Sequence, residues 1–297
     1  MDEISGVNPL AAQVAENMRD RIMLDRSTFG RPSSPRVVAV ANQKGGVGKT
    51  TTTVNLAAAL GVGGLRVLVV DADAQGNASS ALGVDHGAGV PSTYDVIIGE
   101  ASFADVVQQC PDQENVLVCP ATIDLSGAEI ELVDLDRREH RIADAMEEFL
   151  ESGPEVDVVM VDCPPSLGLV TLNVLVAADE VLIPVQTEYY ALEGLSQLLS
   201  TIERISGSLN PRLRVSTMLL TMADRRTRLS QEVEEEVRSH FGEIPLQTVI
   251  PRSIRVSEAP SYGQTVITYD DRCAGALAYR KAALELSWRL QAATGQG

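Results

Sequence analysis

The sequence predicts an α/β protein built on a doubly wound, mostly parallel sheet with helices on both faces. Three observations predict it. Apolar runs of strand length occur at 36–41, 66–71, 116–119, 156–162, 180–185 and 214–221, with a shorter candidate near 246–250. Helical patterns fall between them at 50–61, 125–150, 170–178, 191–206, 229–241 and 273–291. A glycine-rich loop, Gly45-Gly46-Val47-Gly48, joins the first strand to the first of those helices. Strands that are apolar almost throughout, rather than alternating, are covered on both faces, and a sheet so covered is parallel with crossover helices.

Taken in order, residues 1–35 read as an N-terminal extension ahead of one main domain at 36–297. Leu10, Val14, Met18 and Ile22 recur at i+4, the spacing of a short amphipathic helix, and Arg31-Pro32-Ser33-Ser34-Pro35 breaks it as a linker. Such a helix either packs on its own domain or docks a partner.

The first strand, Val37-Val38-Ala39-Val40, leads into Asn42-Gln43-Lys44-Gly45-Gly46-Val47-Gly48-Lys49-Thr50. Strand, glycine loop and helix in that order form a phosphate cradle, with backbone N–H groups turned inward and the helix N-terminus adding positive potential. Lys49 is placed to reach the β- and γ-phosphates and Thr50 to ligate Mg²⁺. The usual G-x-x-x-x-G-K-[ST] pattern fails at its first glycine, where Gln43 stands, and a second lysine, Lys44, sits inside the loop. A loop that already holds Lys49 gains little from another cation unless that cation has a separate task. Gly61, Gly63 and Gly64 end the helix.

The second strand closes on Asp71-Ala72-Asp73-Ala74-Gln75-Gly76-Asn77, and the 156–162 strand closes on Asp162-Cys163-Pro164-Pro165-Ser166. Ligands of such sheets bind at the carboxyl ends of the strands, so both motifs point into the crevice. Asp162 is placed to hold Mg²⁺ directly or through water, Asp71 to share that task, and Asp73 to orient a water against the γ-phosphate. The Pro164-Pro165 pair stiffens the backbone as a nucleotide-responsive switch would require.

Composition sets further bounds. Hydrophobic content of 44% suits a globular protein, and no apolar run approaches the roughly 20 residues that span a bilayer. The start, Met1-Asp2-Glu3-Ile4, lacks the basic and apolar regions of a signal peptide, and Cys110, Cys119, Cys163 and Cys273 form no C-x-x-C pair. A cytoplasmic protein with reduced thiols is therefore expected. The net charge is −17, from 24 Lys+Arg against 41 Asp+Glu, which favours basic partners. Local patches decide nucleic-acid contact, however, and Arg225, Arg226 and Arg228 cluster in one loop while Arg252 and Arg255 lie in another.

These motifs, together with Gln186-Thr187-Glu188-Tyr189-Tyr190-Ala191-Leu192-Glu193-Gly194 and Val249-Ile250-Pro251-Arg252-Ser253-Ile254-Arg255, resemble the ParA/Soj chromosome- and plasmid-partitioning ATPases. That family belongs to the deviant Walker A group of P-loop NTPases, which includes MinD. The resemblance runs from about residue 36 to about 291, and departs at Ala74, where the family usually has proline. It implies an ATP and Mg²⁺ site made by Gly45, Gly46, Val47, Gly48, Lys49, Thr50, Thr51 and Pro251, slow hydrolysis, and a nucleotide-sandwich homodimer in which Lys44 reaches the other subunit's ATP. It further implies sequence-independent binding of double-stranded DNA through Arg225, Arg226, Arg228, Arg252 and Arg255, a place on the nucleoid, and a ParB-type centromere-binding partner. The rival is a MinD-like membrane-associated positioning ATPase. It requires a basic amphipathic C-terminal helix, whereas Ala282, Ala283, Leu284, Leu286, Trp288 and Leu290 suit packing against the sheet, so no membrane partner is expected.

Overall fold

The computed structural model describes residues 9–188, 195–224 and 226–294. Its seven strands are β1 (Arg36–Val40), β2 (Val67–Asp71), β3 (Gln108–Gln109), β4 (Val116–Cys119), β5 (Val158–Asp162), β6 (Glu180–Gln186) and β7 (Arg214–Thr221). They form one sheet in the order β3-β4-β2-β5-β1-β6-β7, parallel except for the edge strand β3.

Each central strand is buried along its length, because successive side chains feed two separate cores. Val38, Val40, Val69 and Met160 face the P-loop helix (Lys49–Val62) and the C-terminal helix (Ala274–Thr294). Val37, Ala39, Val70 and Val161 face the opposite layer, which holds the helices Arg141–Ser152, Leu169–Ala177 and Leu195–Ser208. Small side chains, Ala57, Ala58 and Ala59, let the P-loop helix lie between sheet and C-terminal helix, and the helix is buried on nearly every side. Gly63 caps its end by donating its N–H to the Ala59 carbonyl, and Gly64, which donates to the Gly61 carbonyl, turns the chain at φ +88.

Register does the placing of the site. Val40 and Asp71 are both paired with Asp162, so the ends of β1, β2 and β5 lie level. From β1 the chain crosses to β2 on one side, and from β5 it crosses over β1 to β6 on the other, which opens the crevice at the ends of β1 and β5.

Three elements differ from the sequence expectation. The single helix over 125–150 is instead a set of short turns over 123–134 followed by the helix Arg141–Ser152, with Leu135 extended and Arg137 at φ +53. Burial of Leu125, Ala128 and Leu132 against the sheet wins over the local helical period, which leaves Ile130 and Val133 exposed. The segment 246–250 runs beside β7 without a continuous ladder, Leu246 donating to the Met218 carbonyl (2.8 Å) and Ile250 to the Leu220 carbonyl (2.9 Å), with isolated bridges at Pro245 and Pro251. Strand β3 is two glutamines long and carries no apolar signal.

The N-terminal segment forms a helix, Pro9–Arg26. It lies along the C-terminal helix through Asp20–Lys281 (2.5 Å) and Asp25–Arg280 (2.7 Å), with Arg21 paired to Asp271 (3.0 Å) just ahead of that helix and Leu24 buried. Val14, Met18 and Ile22 point to solvent, 60%, 64% and 44% exposed. Ion pairing, more than the apolar stripe, orients this helix.

Candidate nucleotide site and its arginine loops

The P-loop takes its shape from two left-handed glycines, Gly46 at φ +75 and Gly48 at φ +90, conformations that a Cβ makes costly. Side chains from elsewhere hold it in place. Asn42 donates to the Pro184 carbonyl (2.8 Å) and accepts from the Lys44 N–H (3.0 Å), while Thr221 at the end of β7 donates to the Val47 carbonyl (2.9 Å).

Lys49 is buried to 8% exposure, and that burial lowers its pKa against the opposing pull of Asp162. Thr50 Oγ1 donates to Asp162 Oδ2 at 2.6 Å and Thr53 Oγ1 to Asp162 Oδ1 at 3.2 Å. Hydroxyl and carboxylate thus meet as an all-oxygen donor set that suits a hard divalent cation such as Mg²⁺. Burial raises the Asp162 carboxyl to about 8, with the charge of Asp71 next in importance and the two threonine bonds opposing.

Asp71 is arranged differently from Asp162. Its Oδ2 accepts from the Ser79 N–H (2.8 Å) and hydroxyl (2.7 Å), and its Oδ1 from the Asp73 N–H (3.2 Å). Both oxygens accept from the turn that follows β2, so the share in holding the cation expected from the sequence, directly or through water, falls to the lone pairs those bonds leave. Asp71 pins the turn carrying Asp73, and Ser79 ties it onward by accepting from the Ala121 N–H at 3.0 Å. Asp73 is half-buried, its Oδ1 accepting from the Gln75 N–H. Ser79 carries no motif and was invisible in the sequence.

Beside the loop lies a cavity of about 290 Å³, lined by Gly48, Thr51, Met222, Pro251, Arg252, Val256, Pro260 and Tyr279 among others. Pro251 and Thr51 therefore meet at one hollow next to the phosphate cradle. Lys44 is a third exposed and lies 3.9 Å from Glu188, which also lies 3.6 Å from Arg252.

The two arginine loops are joined through their backbones. Ala223 donates to the Ile250 carbonyl (3.0 Å), and Arg252 donates to the Ala223 carbonyl (3.1 Å). Met222, at φ +54, makes the bend between β7 and this junction. Arg226 follows at 89% exposure, and Thr227 caps the helix Arg228–Phe241, which begins with Arg228. Arg252 and Arg255 are more than half exposed on the facing segment. Arg225 lies outside the described residues, as does the Tyr189–Gly194 motif.

The basic groups of the C-terminal helix are engaged within the chain. Arg280 and Lys281 pair with the N-terminal helix, and Arg289 donates to the carbonyls of Ser216, Glu243, Ile244 and Pro245. Ala282, Ala283, Leu286 and Leu290 are buried, while Trp288, expected to pack, is half exposed. Among the described residues, no helix is long and apolar enough to cross a membrane.

A parallel sheet with a glycine loop, a buried lysine and a threonine–aspartate pair at its carboxyl edge defines the class: a P-loop nucleotide-binding protein. Comparison with known proteins carries this further. The AAA domain family model matches residues 35–215. The chain is 51% identical over 251 residues to the chromosome partitioning protein ParA of Caulobacter vibrioides, covering 84% of this chain and 93% of that protein. It is 49% identical to the sporulation initiation inhibitor protein Soj of Bacillus subtilis, covering 85% and 98%. A Mycobacterium smegmatis structure described as cobyrinic acid a,c-diamide synthase with ADP and magnesium superimposes with a TM-score of 0.72 at 39% identity, covering 84% and 92%. MinD of Pyrococcus horikoshii with Mg-ADP gives 0.67 at 25% identity, covering 85% and 96%. The chain belongs to the ParA/Soj family of partitioning ATPases. Its cofactors are ATP and Mg²⁺, and its class of reaction is ATP hydrolysis.

Proposed function

We propose that this ATPase cycles between a single subunit and an ATP-bound sandwich dimer that binds double-stranded DNA without sequence preference, and that it segregates chromosome or plasmid DNA with a ParB-type partner. The observation that carries the reading is the backbone junction of Ala223 with Ile250 and Arg252, which sets two arginine-bearing loops beside the nucleotide cavity. A ligand that moves Pro251 or Met222 acts on both loops at once. Guanidinium groups suit phosphate because the planar fork donates two hydrogen bonds.

Thr50 and Asp162 hold the cation, Lys49 neutralises phosphate charge, and Asp73 orients the attacking water. The bound Mg²⁺ supplies electrostatic stabilisation of the leaving diphosphate. Lys44, on the rim of the loop, reaches the second subunit's nucleotide, so that ATP favours association through contacts made only in the dimer. Joining two subunits doubles the basic surface and makes DNA retention depend on ATP. The acidic remainder, within a net charge of −17, suits a basic segment of the ParB-type partner.

Co-sedimentation with duplex DNA of mixed sequence tests this, with ATP, ADP or no nucleotide and at two salt concentrations. Retention is expected with ATP alone and is expected to weaken steeply with salt. Equal retention in all three nucleotide states refutes the coupling, and Arg226→Ala with Arg255→Ala lacking any effect refutes the surface.

A further inference from the structure

Every arginine of the proposed DNA surface for which an ion pair is seen faces a carboxylate of its own chain. Asp224 receives Arg226 in a fork, Nε to Oδ1 at 2.9 Å and Nη2 to Oδ2 at 2.8 Å, and also accepts the Arg226 N–H. Glu258 receives Arg255 Nη1 at 3.1 Å, and Asp270 lies 3.6 Å from its Nε. Glu188 lies 3.6 Å from Arg252 while Gln186 donates to it at 2.6 Å. Three arginines are thus set against three carboxylates, Asp224, Glu258 and Glu188, before Asp270 is counted. The fork from Arg226 holds the Asp224 carboxyl down at about 2, so it stays ionised at any working pH.

We infer that Asp224, Glu258 and Glu188 set the DNA affinity of this surface by occupying its arginines, so that phosphate binds by exchanging ion pairs rather than by meeting free cations. The inference rests on the DNA-binding reading above. Its physical content is a competition. These pairs are solvent-exposed and therefore weak, so DNA phosphate displaces each carboxylate at a cost of about two- to five-fold in affinity. Three such factors multiply, which leaves one subunit a nearly neutral face and a poor DNA binder. A dimer presents the set twice, and the second engagement is intramolecular, so it overcomes a cost that one subunit does not. The carboxylates therefore sharpen the dependence of DNA binding on dimerisation. Glu188 adds a link to the nucleotide, because it also faces Lys44 at 3.9 Å.

The test is fluorescence anisotropy of a labelled mixed-sequence duplex with the full chain and ATP, across a salt series. The variants are Asp224→Asn, Asp224→Asn with Glu258→Gln, and Glu147→Gln as a control. Asparagine keeps an acceptor for the Arg226 N–H, and Glu147 is an exposed residue of the Arg141–Ser152 helix, so the control matches the single variant's change of net charge remotely, and Glu147→Gln with Glu148→Gln does so for the double variant. The single variant is expected to bind about two- to five-fold more tightly, the double variant more tightly again, and the log–log salt slope to steepen by up to about 0.9 per arginine released. Both controls should match the parent protein. If the double variant matches its control in affinity and slope while the parent binds DNA, the inference alone falls. If parent and double variant both fail to bind, the inference falls together with the DNA-binding reading.

Discussion

Cation binding at this site should release a proton, and the amount is set by the burial of Asp162. The perturbation is a titration of Mg²⁺ and ADP into the nucleotide-free protein at several pH values. With its carboxyl pushed up to about 8 by burial, Asp162 keeps a proton at neutral pH and gives it up as pH rises through that value. A divalent ion requires the carboxylate, so that proton leaves as the ion enters. Below pH 8 the apparent cation affinity should rise by close to tenfold per pH unit. Calorimetry in buffers of different ionisation enthalpy reads the count directly, as the slope of observed heat against buffer heat. Asp162→Asn supplies the baseline, since it removes this proton but leaves those of the nucleotide and of Lys49. A release that is the same in Asp162→Asn as in the parent, or that does not fall between pH 7 and pH 9, refutes the argument. The sign extends to stability. A carboxyl raised in the folded state keeps a proton that the unfolded chain loses near pH 4, so the nucleotide-free protein should grow less stable as pH rises from there towards 8. Melting temperatures with and without Mg²⁺-ADP over that window check this.

Other consequences follow from the same geometry. Lys44→Ala should retain nucleotide binding yet fail to dimerise with ATP, because among the described residues the Lys44 ammonium makes only a long contact, to Glu188; an ATP-dependent dimer in sedimentation contradicts its assigned reach. Gly48→Ala forces a side chain into φ +90 with the Met222 methyl at 3.7 Å; it should cost about 1–2 kcal/mol of stability and weaken nucleotide binding, read by melting and by nucleotide titration. Asp25→Ala leaves the buried Arg280 without its 2.7 Å partner and should cost about 1–3 kcal/mol, with the N-terminal helix becoming accessible to protease. Leu286→Ala opens a hole between the C-terminal helix and the sheet and should cost about 2–5 kcal/mol in chemical denaturation.

The strands that build the sheet were legible because burial on both faces writes a continuous apolar run, and the run ends where the carboxylates begin. Val37–Val40 and Val158–Val161 show this plainly. Helix prediction worked where length and period agreed, as over 49–62, and failed over 125–150, where the apolar residues that matter are the ones the sheet selects. Gln108–Gln109 pairs with β4 at the edge without any hydrophobic reason to do so, and no pattern announces it.

The sequence by itself determined the phosphate loop, the acidic ends of β2 and β5, the family and hence the cofactor, because each is written in neighbouring residues whose chemistry does not depend on distant ones. Only the tertiary structure decided what those groups touch. Asp71 and Asp162 look alike in sequence, yet one is engaged by Ser79 and Asp73 and the other by Thr50 and Thr53. Arg252 and Glu188 stand 64 positions apart and are brought within 3.6 Å where the loop after β6 meets the segment that follows Ile250. Hydrogen bonds and ion pairs act over a few ångströms, so their partners are chosen by the packing of the sheet and not by the order of the chain.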